Sequence, residues 1–197
     1  GSWWNDLLPY NTDNNPDPRA VTFKLSIHAD IPVGPTSNYS MPGQELWSEV
    51  FQPGSFSVAD PIRTDETFMN PPANIIGTDT QAFTYTFFPV TPFIQQQGTI
   101  YWLDVQALPN VVAGVAAPVF GWKTSLYHWN DDAVFGITTS SNFPGTADNW
   151  TDMHYPSNSP YAGQSIDMAF DLTTIPEPSL LLLVLPAALM IRSRRVS

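Results

Sequence analysis

Ala20-Val21-Thr22-Phe23-Lys24-Leu25-Ser26-Ile27-His28-Ala29 alternates without a break. Val21, Phe23, Leu25 and Ile27 fall on one side, and Thr22, Lys24, Ser26 and His28 on the other, the period of two that a strand imposes. Such a strand is expected to bury its apolar face and leave its polar face wet. The same reading extends outward. Leu46, Ser48 and Val50 oppose Trp47, Glu49 and Phe51, and after the Pro53-Gly54 turn Phe56 and Val58 share a side, so Glu45 to Ala59 reads as a hairpin. Gln81 to Pro89 alternates through Phe83, Tyr85 and Phe87. Thr99 to Val105 is nearly continuously apolar, as suits a strand covered on both faces. Pro118 to Ser125, Ala133 to Thr138 and Ser165 to Leu172 complete the set, while Asp60 to Pro72 and Asn142 to Gly163 read as irregular loops.

About eight or nine short strands separated by turn signals, with no internal repeat, predict an all-β, antiparallel β-sandwich of jelly-roll type over residues 1–172. Twenty prolines and 13% aromatic residues agree with β structure. There is no cysteine, which removes disulfides, thiolate nucleophiles and Cys-type zinc sites together. Residues 1–177 hold four basic side chains (Arg19, Lys24, Arg63, Lys123) against all eighteen carboxylates, a formal charge of −14. A body that acidic repels phosphate backbones and anionic lipid, so no nucleic-acid partner is expected. The opening Gly1-Ser2-Trp3-Trp4-Asn5-Asp6 carries neither an initiator Met nor a basic, apolar leader. A truncated N-terminus is the expectation.

Residues 173–197 are of another kind. Pro176-Glu177-Pro178 is stiff and extended, Leu180 to Ile191 is a run of twelve residues without a charge, and Arg192, Arg194 and Arg195 close the chain. A helix of twelve residues reaches about 18 Å, short of a hydrocarbon core of ~30 Å, and the arginines match the positive-inside pattern. These three parts, in order, resemble the PEP-CTERM sorting signal of exported bacterial proteins. The resemblance implies a short membrane helix over 179–191 held in the inner membrane. It further implies recognition and removal of the tail by an exosortase, a membrane-embedded cysteine transpeptidase-like enzyme, and a final place at the cell surface or in the extracellular matrix. The alternative is a hydrophobic C-terminal helix that docks on the body or anchors the chain permanently. The body also resembles an uncharacterised exported domain found in PEP-CTERM proteins, through Phe23-Lys-Leu-Ser-Ile-His-Ala-Asp-Ile-Pro, Tyr39-Ser-Met-Pro-Gly with Leu46-Trp47, Gly98-Thr-Ile-Tyr-Trp-Leu-Asp-Val, and Phe120-Gly-Trp-Lys-Thr-Ser with His128-Trp-Asn-Asp-Asp. That likeness implies a fold and a location, and copies with further residues before Gly-Ser-Trp; it implies no activity.

The densest polar and aromatic stretch is Phe120 to Asp132. Trp122 and Trp129 offer stacking faces, Lys123, His128 and Asn130 offer hydrogen bonds, and Asp131 with Asp132 offer carboxylates. Sugars want this combination, because their C–H faces stack while their hydroxyls need polar partners. Trp122, Trp129, Asn130 and Asp131 are therefore the candidate ligand-binding residues. The bland alternative is a corner in which the tryptophans plug the end of the sandwich. Asp131 and Asp132, with Asp104 or Asp152, have the hard oxygens that calcium takes, about six to eight per ion, but EF-hand spacing is absent. His28, His128 and His154 are too dispersed for a zinc motif, and no Gly-x-Ser-x-Gly elbow supports a triad. No catalytic residue is assigned. The expected function is that of a non-enzymatic exported protein, structural or carbohydrate-binding. The alternative is an extracellular hydrolase acting on polysaccharide, which needs two carboxylates facing each other across a cleft.

Overall fold

A computed structural model describes residues 1–35, 37–71, 74–128, 131–137, 143 and 148–173. The expected helix over 179–191 and the sorting residues Pro176, Glu177, Pro178, Arg192, Arg194 and Arg195 lie outside the described residues, as do Trp129 and Asn130. Among the described residues the chain forms β1 (Ser2–Trp3), a 3-10 turn (Trp4–Asp6), β2 (Val21–Ile31), β3 (Met41–Phe51), β4 (Phe56–Val58), β5 (Ile62–Asn70), β6 (Asn74–Ala82), β7 (Tyr85–Phe87), β8 (Tyr101–Pro109), β9 (Phe120–Gly121), β10 (Thr124–Ser125), β11 (Val134–Ile137), β12 (Asp148–Asp152) and β13 (Asp167–Met168). There is no α-helix among them, hence none long and apolar enough to cross a membrane. The protein is mostly β, and every strand pair is antiparallel.

The strands join as β3-β2-β8, β5-β6-β1-β9, β4-β7, β10-β13 and β11-β12. Strand β2 is central to the first of these, pairing with β3 through Phe23↔Phe51 and with β8 through Phe23↔Ala107. Its odd residues make the apolar face that the alternation predicts. Val21 and Phe23 are fully buried with Trp3, Phe51, Phe56 and Phe83, and Leu25, Tyr85, Phe87, Val105 and Phe120 pack around them. Phe23 sits edge-on to four rings, those of Phe56, Tyr85, Phe87 and Phe120, at centroid distances of 5.1 to 5.3 Å. Edge-to-face pairs each add about 0.5–1.5 kcal/mol beyond burial. The Tyr85 hydroxyl, driven into this core with the Trp3 indole N–H, is satisfied. It accepts from Trp3 Nε1 at 3.0 Å and donates to the Pro18 carbonyl at 3.1 Å. Burial raises its pKa well above the usual phenol value.

Four expectations need correction. Phe56–Val58 does not fold back on β3; Gly54 turns the chain with φ +91°, and β4 pairs with β7, putting Phe56 against Phe23, Tyr85 and Phe87. Asp60 to Pro72 is not irregular but contains β5, and Asn142 to Gly163 contains β12. Both strands are polar because little of them enters the core. β5 buries only Phe68 and depends on its ladder with β6. The largest departure concerns β2. Its polar face is not wet: Ser26 and His28 are 0% exposed and Lys24 6%.

Close backbone approach fixes the N-terminal turn on β6. A Cβ at Gly77 would collide with Trp4 Nε1 and, at 2.6 Å, with Asn5 Oδ1, while Asp6 takes the Thr80 N–H at 2.9 Å. Because Phe23 holds the aromatic core together, Phe23→Ala is expected to cost about 3–5 kcal/mol. Chemical denaturation would read this as a lower midpoint at unchanged slope.

Candidate functional site

The polar face of β2 meets matching polar residues on both neighbours. Lys24, Ser26 and His28 lie opposite Gln106, Asp104 and Trp102 of β8, and a register shift in β3 brings Glu45 opposite His28. Lys24 Nζ reaches Glu45 Oε2 at 2.6 Å, and Ser48 Oγ donates to Glu45 Oε1 at 2.7 Å. Burial works to raise the Glu45 carboxyl, but the bonds from Lys24 and Ser48 and the charges of Lys24 and His28 outweigh it and hold the group below its ordinary value.

The neighbouring chain of bonds has a defined direction. The Gly43 carbonyl only accepts, so His28 Nδ1 donates to it, at 3.0 Å. Ser26 Oγ donates to Asp104 Oδ2 at 3.1 Å, and Gln106 Nε2 donates to the same oxygen at 2.7 Å. With its single proton committed to Asp104, Ser26 presents a lone pair to His28 Nε2 at 3.1 Å. Ser26 is too deeply buried to attack a substrate; this network is structural. It is roofed by β12 and the segment that enters β3. The Trp150 ring stands edge-on to His28 at 6.2 Å, the Tyr39 hydroxyl donates to the Trp150 carbonyl at 2.6 Å, and Ser40 Oγ donates to Asp131 at 2.5 Å.

Beside the network, β8 is an edge strand, hydrogen-bonded among the described residues to β2 alone. Its other edge faces a cleft of about 1070 Å³, bounded opposite by β5, β6, β9, β10, β11 and β13. The volume is at the upper end of ordinary ligand sites. Trp122 and Asp131, two of the four predicted binding residues, both line it. Trp122 donates Nε1 to the Ala169 carbonyl at 2.8 Å and leans on Phe170, while Asp131 is engaged by Ser40. The sequence reading named Asp104 only as a possible calcium ligand and missed Trp150 and Asp79; all three line the same cleft. The Trp102-x-Asp104-x-Gln106 alternation, opposite the polar residues of β2, was the available signal for Asp104.

At the far wall Lys123 forms an ion pair with Glu66, and its Nζ lies 3.6 Å from Asp79 Oδ1. Glu66 resembles Glu45: burial pushes it up, and the Lys123 and Thr64 hydrogen bonds with the Lys123 charge bring it below its ordinary value. His128, Ser165 and Asp167 also meet, but both contacts fall on the same nitrogen. Nδ1 stands 3.3 Å from Asp167 and 3.5 Å from Ser165, whereas a nucleophilic triad uses the two ring nitrogens for different partners. Among the described residues no three His, Asp or Glu side chains are grouped to hold a metal ion.

A family model described as Domain of unknown function (DUF7901) matches residues 1–173. No curated protein and no solved structure matches the chain.

The Lys24–Glu45 pair yields a stability prediction. Glu45→Gln leaves the 6% exposed Lys24 without its carboxylate and is expected to cost on the order of 3 kcal/mol. The carboxyl is depressed from 4.5, so its contribution is complete above that pH and is lost as pH falls through the folded value. Denaturation midpoints measured from pH 7 to pH 3 should therefore fall for the native chain and fall less steeply for Glu45→Gln.

Proposed function

We propose that this chain, which belongs to the DUF7901 family of unknown function, is an exported, non-enzymatic surface or matrix protein whose β body binds carbohydrate in the cleft beside β8. We read the body as a jelly-roll-like sandwich; antiparallel pairing throughout and an aromatic core around β2 support that reading. Residues 173–197 serve as a PEP-CTERM-like address. An exosortase-type enzyme engages Pro176-Glu177-Pro178 while the apolar run and Arg192, Arg194 and Arg195 hold the chain in the inner membrane, and release sends the body to the cell surface or extracellular matrix.

The observation that carries the carbohydrate reading is the lining of the cleft. Trp122 and Trp150 stand with Asp104 and Asp131 along an unpaired strand edge. Indole faces suit the C–H side of a sugar ring, and carboxylates suit its hydroxyls. A hydrolase is the weaker reading. A general acid working near neutral pH needs a raised carboxyl, and Glu66, which shares Lys123 with Asp79, is held low.

On a glycan array, the full chain in neutral detergent is expected to bind a subset of polysaccharides. Trp122→Ala should weaken that binding about tenfold or more, and Trp122→Phe, which keeps a ring, should retain most of it. A blank array from protein that unfolds cooperatively would remove the carbohydrate reading and leave a sorted structural domain. For the tail, mass spectrometry of the mature protein is expected to find no peptide carrying Arg192 to Arg195. Recovery of that peptide would make the tail a permanent anchor.

A further inference from the structure

The cleft is acidic. Glu66, Asp79, Asp104, Asp131 and Asp167 line it, and Lys123 is the one basic side chain of the described lining. Four of these carboxylates already have partners: Glu66 has Lys123, Asp104 has Ser26 and Gln106, Asp131 has Ser40, and Asp167 has His128. Asp79 is different. It is 1% exposed, and its Oδ1 accepts no hydrogen bond from the described residues. Lys123 Nζ pairs with that oxygen by charge alone, at 3.6 Å and beyond hydrogen-bond reach, and is shared with Glu66. A buried carboxylate oxygen left without a donor carries an uncompensated desolvation cost, which a ligand donor placed there would recover.

Resting on the carbohydrate reading above, we infer that the cleft selects amino sugars, the ligand bringing an ammonium group to Asp79 Oδ1 while its ring stacks on the aromatic wall. Three features converge on this class. The excess of carboxylates disfavours uronic acids and sulfated sugars. An ammonium–carboxylate bond is roughly twice as strong as a neutral one, so the unfilled oxygen rewards an amine over a hydroxyl. Trp122 and Trp150 add faces on which both a sugar ring and a cation are held.

Titration calorimetry of the full chain in neutral detergent tests this with three short oligosaccharides of equal length: a β-1,4-glucosamine oligomer, its fully N-acetylated form, and an oligogalacturonate. The glucosamine oligomer is expected to bind about tenfold tighter than the acetylated one, and the oligogalacturonate not at all. Asp79→Asn, checked by its melt for folding, should erase the difference between the first two. The comparison between ligands on the native chain stands even if that variant does not fold. An oligolysine of equal length controls for simple attraction to an acidic protein and should be insensitive to Asp79→Asn. Equal binding of the amine and acetyl forms, with both lost in Trp122→Ala, overturns the amine preference and leaves the carbohydrate reading standing. Binding of the oligolysine as tightly as the glucosamine oligomer, with neither affected by Trp122→Ala, overturns the preference as mere charge attraction. No binding of any sugar overturns both readings.

Discussion

Strand β2 is buried on both faces, and those faces are chemically opposite. On one side Phe23 is surrounded by rings; on the other Lys24, Ser26 and His28 are shut away from water. A slip of one residue in its pairing would exchange the two sets, forcing an ammonium and an imidazole among the aromatic rings and Phe23 among carboxylates. Polar burial of this kind adds little net stability over an apolar equivalent, since desolvation cancels much of the attraction. What it adds here is register. Lys24 reaches Glu45, and Ser26 reaches Asp104, only when both ladders of β2 are aligned as they are.

The polar layer needs a roof, and the roof makes the cleft. Two hydrogen bonds, Tyr39 to Trp150 and Ser40 to Asp131, tie the segment entering β3 to residues more than ninety positions later in the chain. These bonds hold Trp150 over His28 and fix Asp131 at the rim. Among the described residues the outer edge of β8 has no strand partner, so that edge and a set of carboxylates come to face the same space. Exposed edges invite association with other chains. Here the edge lies within a concave wall, where a small ligand has easier access than another sheet.

How far this was legible in the sequence differs between the two faces of β2. The apolar face was plain, because Val21, Phe23, Leu25 and Ile27 alternate with no exception and neighbouring segments repeat the pattern. The fate of the polar face was not, since Lys24 and His28 look the same in an alternation whether they meet water or partners. Only pairing with Asp104, Gln106 and Glu45, residues distant in sequence, decides between the two. Strands β5 and β12 were hidden for a related reason: their ladders carry them, and hydrophobic periodicity registers burial, not ladders. Trp122 and Asp131 were singled out because aromatic and polar residues crowd together locally. Asp79 stands alone between Thr78 and Thr80, and nothing local marks it.

The acidity of the body acquires a location from this arrangement. Eighteen carboxylates against four basic groups in residues 1–177 would serve solubility if spread evenly over the surface. Yet Glu45, Asp104 and Asp167 are turned inward to bind Lys24, Ser26 and His128, and Asp79 is turned inward with one oxygen unanswered. The fold satisfies nearly every buried carboxylate, but Lys123 is shared between Asp79 and Glu66, which leaves one carboxylate oxygen of the cleft wall without a hydrogen-bond donor among the described residues. Repulsion among the five lining carboxylates favours a donor that also carries positive charge.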